Sequence, residues 1–587
     1  MKKLFSYVVT AAKFTCPFIL LHLLLFPTLL SYTCPMVPHD ASHLHDDLDD
    51  ESEMGLMNEY AYSFKPQQPD GDGSENASLL SEESTSGRRA RRRSGGAADL
   101  EFKPEIDTGG VSDSCFSFKK LWKYTGPGWL MSIAYLDPGN LESDLQAGAI
   151  AGYSLLWLLF WAHVTGLAFQ LLSARLGTVT GQHLAQLIRQ SYTTRMSVVL
   201  WAFAQIAIIG ADIMEIIGTA IALHILLRLP LWVGVLITTV DTFTFMMIQR
   251  YGMRKMEAFF MMLILVMTTC FWVEMVVSKP DVAQIFRGLA VPVVPKNAVV
   301  QAVGMLGAVV MPHNMFLHSA LVGSRDLGAE PTVRKRKEAN FYFGIESGLA
   351  LFLSFLVNLA IVVVFAQVFY KPDAPDNIDL PGLADADAVL KRTLGSAAQY
   401  LWGAGLLAAG QSSTMTGTFA GQYVTEGFFG NMFRKDWHRV AITRGISLIP
   451  SMLVAVFAVD HFDTMGELLN VLQSVCLPPV LIPILKLCSS TAVMSAEFTT
   501  STVLHVICWL LTGVVVGFNV FLFVTHITSV WSFVMIGAFG LVYLAFLAYM
   551  VWLPLDYVPK GANSDDDGWM AIPENSDDEE ISLRQEP

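Results

Sequence analysis

The sequence predicts an all-α, polytopic membrane protein of about twelve transmembrane helices, and three observations predict it. Hydrophobic residues make up 53% of the 587-residue chain and charged residues only 15%, against roughly a quarter charged in soluble domains. Apolar runs of about 20 residues recur from Trp122 to Leu553, each long enough to cross a hydrocarbon core about 30 Å thick. None of these runs alternates with the period of two that barrel strands need, so their backbone groups must be satisfied within helices. The mean hydropathy of +0.46 agrees. Composition excludes an ordinary soluble enzyme, and no nucleic-acid partner is expected.

Residues 1–36 contain an apolar stretch, 14–33, behind Lys2, Lys3 and Lys13. It reads as a signal-type segment, an extra span with its N-terminus outside, or a membrane-surface helix. Residues 37–117 form an arm rich in Gly, Ser, Asp and Glu, expected to be disordered, which carries the basic run Arg88-Arg89-Ala90-Arg91-Arg92-Arg93. Lys119, Lys120 and Lys123 border the first core span and place the arm in the cytosol. A signal sequence would place it in the lumen, and the positive-inside charges take precedence. Much of the net charge of −14 sits in the tails, at Asp46–Glu53, Asp565–Asp567 and Asp577–Glu580. Solvated acid is the first reading there, and His39, His43 and His45 keep a metal-collecting tail as the second.

The transporter domain is expected over residues 118–555. Its spans fall at about 124–150, 153–176, 197–221, 230–248, 256–278, 297–323, 341–369, 396–428, 438–458, 464–488, 500–525 and 530–553. An even number returns the acidic tail, 556–587, to the cytosol. The basic loop Arg334-Lys335-Arg336-Lys337 is then also cytosolic, as the charge rule asks. Seven scattered cysteines signal neither a disulfide framework nor a zinc module.

Proline and glycine inside a membrane helix free backbone groups, which is tolerated where they line a cavity or are buried in protein. Span one is interrupted at Asp137-Pro138-Gly139-Asn140 and span six at Met311-Pro312-His313-Asn314. The two tetrapeptides share the pattern x-Pro-x-Asn and open two successive five-helix blocks. That is where inverted-repeat transporters place paired broken helices around a midplane site, so the chain reads as a 5+5 repeat plus two helices.

The groups offered there define the cargo. An ionised carboxylate at Asp137 needs a cation at that depth. Asp137 and Asn140 supply hard oxygen, the unwound carbonyls near Ala134 and Ala308 add more, and Met311 adds a thioether. Oxygen alone suits magnesium or calcium, whereas sulfur favours softer transition-metal ions. Packing is the ordinary role of a methionine in a chain that has 26 of them. Met311 stands out because it occupies, before its break proline, the place that Asp137 holds in the other half.

Span three carries Asp212 and Glu215 at i, i+3 spacing, on one helical face. Acids inside a membrane helix commonly form proton relays, and His313 is a further candidate because it titrates near neutral pH. Arg444, early in span nine, is a candidate counter-charge. A static salt-bridge network is the competing role for this group.

With these residues in hand, the chain resembles the Nramp family of proton-coupled divalent-metal transporters, most closely its plant and algal branch. Three stretches carry the resemblance. They are Tyr124–Gly148, reading YTGPGWLMSIAYLDPGNLESDLQAG; Met311–Val322, reading MPHNMFLHSALV; and Gly410–Gln422, reading GQSSTMTGTFAGQ. The resemblance implies the LeuT-type fold, with metal held by Asp137, Asn140, Met311 and the carbonyls of Ala134 and Ala308. It also links Asp212, Glu215, His313 and Arg444 to the proton route. Span ten departs from the family pattern Leu-Gln-Ser-x-Gln-x-Pro-Phe, reading Leu472-Gln473-Ser474-Val475-Cys476-Leu477-Pro478-Pro479, so a glutamine and an aromatic are replaced beside the site.

The expected function is symport of protons with divalent transition-metal ions (manganese, ferrous iron, cadmium or zinc) toward the cytosol by alternating access. The metal is substrate, and no cofactor is expected. A transporter-like metal sensor or signalling receptor is the alternative, and that reading expects a large soluble C-terminal output domain. Glu75-Asn76-Ala77-Ser78-Leu79-Leu80 resembles an acidic dileucine signal for sorting adaptors. It points to the vacuolar or endolysosomal membrane, with the plasma membrane as the alternative. A cytosolic arm leaves the Asn76-Ala77-Ser78 sequon unused.

Overall fold

In the computed structural model the described residues are 106–110, 116–238, 253–328, 331–371, 382–430, 445–446, 448–454, 456–457, 462–525 and 530–557. The 1–36 segment, residues 37–105 of the arm with the Glu75–Leu80 motif, Arg444, and the tail from 558 onward lie outside them.

The first span is two helices, α2 (Pro127–Ala134) and α3 (Pro138–Ala151), preceded by a short helix α1 (Phe118–Tyr124). Gly126 joins α1 to α2 at a φ of 147°, a region that favours glycine, and Pro127 opens α2 where its missing N–H has no helical partner to lose. There follow α4 (Leu156–Thr180), α5 (Leu184–Ser191) and α6 (Thr194–Leu227). The fourth span is described only over its first part, 231–238. Next come α7 (Met253–Ser278) and α8 (Val282–Ala290), whose N-cap is the Asp281 side chain. The sixth span is again two helices, α9 (Val299–Val309) and α10 (Pro312–Leu321).

The second half continues with α11 (Val333–Val368), α12 (Leu383–Leu394) and α13 (Ser396–Phe429). The ninth span is described only in part, over 445–446, 448–454 and 456–457. The tenth is α14 (Phe462–Cys476) and α15 (Pro478–Ser489), followed by α16 (Thr491–Phe498), α17 (Thr502–Thr525) and α18 (Val530–Trp552).

Among the described residues, eight stretches are long and apolar enough to span a membrane. Within the apolar window of the sixth span, 94% of residues are buried in protein; within that of the last helix, 17% are. The two broken spans therefore sit at the centre, and helices such as α18, with Met535, Leu541, Val542 and Trp552 exposed, present an apolar face to lipid. The centre is walled by α4, α6, α11, α13 and α14, with α13 packed along α6, α3 against α11, and α9 against α14.

Three local features differ from the sequence expectation. The tenth span is also interrupted, at Cys476-Leu477-Pro478, because Pro478 brings no N–H to continue the helix. Arg334–Lys337 are helical rather than a loop: Thr332 caps α11 by accepting the Lys335 N–H at 3.2 Å. At 36 residues this helix is about 54 Å long, so its charged first turns extend past the hydrocarbon. Finally, the end of the arm is structured. Ile106–Asp107 (β1) pairs in parallel with Arg325–Asp326 (β2), and Lys335 donates to the Gly109 carbonyl.

That end of the molecule is tied shut around α2. Glu346 of α11 accepts the N–H groups of Gly126 at 2.5 Å, Gly128 at 3.0 Å and Trp129 at 3.3 Å, and so supplies the cap that α2 lacks in its own sequence. Arg325 pairs with Glu257 at 2.8 Å and donates to the carbonyls of Tyr124 and Thr125. A buried pair of this kind holds because extra hydrogen bonds satisfy the guanidinium.

Backbone contact between α9 and α14 rests on glycine. A Cβ at Gly307 would stand 2.0 Å from the Asn470 carbonyl oxygen and 2.6 Å from the Ser474 nitrogen. Gly307→Ala is therefore expected to force the two helices apart at a cost of about 1–3 kcal/mol. The check is the thermal unfolding midpoint of the detergent-purified protein, and an unchanged midpoint would contradict the close packing described here.

Candidate metal site

Each break is built by a proline four residues after an alanine. In an unbroken helix the Ala134 carbonyl would accept from residue 138 and the Ala308 carbonyl from residue 312. Both positions are proline and bring no N–H. The first helix tightens at its end, Leu136 donating back to Ile133 at 2.9 Å, and the other ends on an ordinary α-helical bond, Val310 donating to Leu306 at 3.0 Å. Met311 is then extended (φ −77°, ψ 133°), as is Asp137 (φ −75°, ψ 167°).

Other freed carbonyls of the first break are taken up by α11. Asn358 Nδ2 donates to the Tyr135 carbonyl at 3.0 Å, and Ser354 Oγ to the Ser132 carbonyl at 3.1 Å. Asp137 caps α3, and its Oδ1 accepts both the backbone N–H and the Nδ2 of Asn140 at 2.8 Å. Asn140 is thereby held by its amino end, and its Oδ1 is buried without a hydrogen-bond partner. An orphaned buried acceptor costs about 1–3 kcal/mol, a cost that a bound cation would remove.

The predicted ligands are all removed from solvent: Asp137 and Met311 are 1% exposed, and Asn140 and Ala308 fully buried, with Ala134 close behind. The two halves meet through packing of α3 on α9 and of α2 on α10. Among the described residues no group of three or more His, Cys, Asp or Glu could hold a metal. The predicted ligands are one carboxylate with amide, carbonyl and thioether groups.

His313, on the first turn of α10, is buried with Nδ1 unpartnered, and next to it both amide atoms of Asn314 are unpartnered as well. Asp212 and Glu215 share the face of α6 that meets α13. The Asp212 Oδ1 and both Glu215 oxygens lie 3.2 Å from where a Cβ of Gly417 would stand. The same helix touches the break, since Gly218 packs on Pro138 and the Met214 Cε fills the space over Gly139. Asp212 and Glu215 thus lie on the helix that packs against the first break.

Sequence reasoning missed Asn470, whose Nδ2 donates to the Gly139 carbonyl at 3.0 Å. It also missed Asp144, two turns above Asp137 on α3, whose carboxylate oxygens are buried and unpartnered. Both are polar residues in mid-span, which was the available signal; neither belongs to a repeated pattern.

The family model described as natural resistance-associated macrophage protein-like matches residues 128–525. The chain belongs to the Nramp family. It is 46% identical over 424 residues to the metal transporter nramp1 homolog of Dictyostelium discoideum, covering 72% of this chain and 78% of that one. It is 46% identical over 468 residues to natural resistance-associated macrophage protein 2 of Mus musculus, covering 75% and 82%. A crystal structure of the Eremococcus coleocola manganese transporter superposes with a TM-score of 0.66 at 28% identity, covering 76% of this chain and 97% of that one. The fold is the LeuT-type inverted repeat of Nramp transporters, and this Nramp protein is a multi-pass membrane transporter of metal ions, not an enzyme. Metal is its substrate.

If the freed carbonyl of Ala134 is a ligand, restoring its donor should remove it. Pro138→Ala is expected to lower metal affinity about tenfold, measured by calorimetry on purified protein, and an affinity equal to wild type would contradict that role.

Proposed function

We propose that this Nramp protein carries divalent transition-metal ions toward the cytosol together with protons, by alternating access around the two broken spans. The observation that carries the reading is the pair of buried breaks, where Asp137 and Met311 hold matching positions before their break prolines, and the donor set read there is one carboxylate and one thioether with oxygens from Asn140, Ala134 and Ala308. Hard and soft donors in one site select manganese or ferrous iron, and also cadmium or zinc, over magnesium and calcium. The manganese transporter of similar structure supports the same class of cargo.

Protons move over Asp212, Glu215 and His313, with Arg444 as counter-charge. Each pH unit across the membrane then contributes about 1.4 kcal/mol per proton to metal uptake. Glu75–Leu80 directs the protein, through sorting adaptors, to the vacuolar or endolysosomal membrane.

Proteoliposomes with an acid exterior test the transport cycle. Metal uptake should be abolished in Asp137→Ala, and metal addition should drive proton entry in the wild type. Uptake unaltered in the variant would overturn the site, and absence of metal-driven acidification would overturn the coupling. Met311→Ala should admit calcium more readily, seen as stronger calcium competition against manganese uptake; unchanged competition would contradict the role given to sulfur.

A further inference from the structure

The last residues of the arm, 106–110, lie ahead of the family match, which begins at residue 128, and they touch three elements at the cytosolic end of the transporter domain. Ile106–Asp107 pairs with Arg325–Asp326, the strand that follows the second half of span six. Thr108, 1% exposed, donates its hydroxyl to the Asp326 carbonyl at 2.7 Å. Gly109, in the left-handed region at a φ of 74°, offers its carbonyl to Lys335 of α11. Gly110 offers its carbonyl to Lys120 of α1 at 2.7 Å. Both lysines gather on Glu338 of α11, Lys120 at 2.7 Å and Lys335 at 4.0 Å.

These contacts bear on closure of the protein because the same strand grips the start of span one. Arg325 of β2 donates to the carbonyls of Tyr124 and Thr125, at the joint between α1 and α2, and pairs with Glu257 of α7. A Cβ at Gly126 would collide with the Arg325 guanidinium and the Glu257 carboxylate, so the joint has no slack. Beyond it α2 packs on α10, and Leu130 shares one buried cluster with Leu317, Ala320 and Leu321. An exit toward the cytosol needs α2 and α10 to part there. β1 is the backbone partner of a strand that ends α10 and grips the start of α2, so parting the two helices disturbs β1 as well. The segment can let go: a pairing two residues long is marginal by itself, and the Lys120–Gly110 bond is exposed, where water can replace it.

We propose that residues 106–110 are a strap that holds the cytosolic exit closed and must peel from β2 before metal leaves on that side. The proposal rests on the reading of transport as alternating access around the two breaks. A seated strap stabilises the closed form over the form open to the cytosol, so it sets how often that exit opens. It acts on the exit and leaves the opposite side of the protein alone.

The test is the rate at which a maleimide modifies Ala320→Cys, buried on the cytosolic half of span six, in the purified full-length protein. Gly304→Cys, on α9 where a side chain has room beside Asn470 of α14, reports the opposite side. Each rate is read against the same chain without the added cysteine. Thr108→Val, which removes the hydroxyl bond to Asp326, should raise labelling at Ala320→Cys about fivefold. Deletion of residues 106–110 should raise it at least about tenfold. Labelling at Gly304→Cys should stay the same or fall. An unchanged rate at Ala320→Cys in either variant would overturn the proposal, and Thr108→Val keeps the test decisive should the deletion fail to fold. A rise at both reporters overturns it as well, since that marks a chain that is merely loosened. The two reporters in the otherwise wild-type chain check the reading beneath: if Mn²⁺ moves both rates in the same direction, alternating access fails and the strap with it. A null result confined to the strap variants leaves the cycle standing.

Discussion

A carbonyl buried in a membrane protein must find a donor, and Pro138 and Pro312 withhold one from Ala134 and from Ala308. The rest of the centre is arranged around those two losses. Asn358 and Ser354 of α11 take up neighbouring carbonyls, Glu346 of the same helix caps the short α2 that the break creates, and Asp137 caps α3. Helices that have lost internal hydrogen bonds are thus held by side chains from a long unbroken neighbour. Such bonds can be remade in another geometry more easily than an intact helical ladder, which is what a cycle of opening and closing requires.

The donor set makes chemical sense for a cargo rather than a resident ion. Closed structural sites gather three or four strong ligands, whereas the described residues hold no group of three acids, histidines or cysteines. On the proposed reading, one carboxylate with weaker amide, carbonyl and thioether donors would bind firmly enough to select and loosely enough to release. On the same reading, placing Asp212 and Glu215 on α6, the helix whose Met214 and Gly218 touch the break, would couple a change of charge on that helix to the first break.

Much of this was legible from sequence, for physical reasons. Hydropathy marks spans because lipid tolerates few alternatives, and the x-Pro-x-Asn pairs are readable because each carries both the break and a candidate ligand. The third interruption, at Cys476-Leu477-Pro478, was not foreseen, since prolines are tolerated within many membrane helices and Pro478-Pro479 has no counterpart to the x-Pro-x-Asn pattern. Asn470 was invisible because its role depends on where α14 crosses Gly139, a fact of packing rather than of local pattern. The strand at Ile106–Asp107 has no alternating signal at all, being two residues long and paired through backbone alone.

The central claim is that the two breaks form one site with a single sulfur among oxygens. X-ray absorption spectroscopy of Cd²⁺ bound to the purified protein addresses it most directly. The account predicts one sulfur scatterer with an otherwise oxygen shell in the wild type, and an all-oxygen shell in Met311→Leu. A wild-type shell without sulfur, or a sulfur signal that survives Met311→Leu, would contradict it.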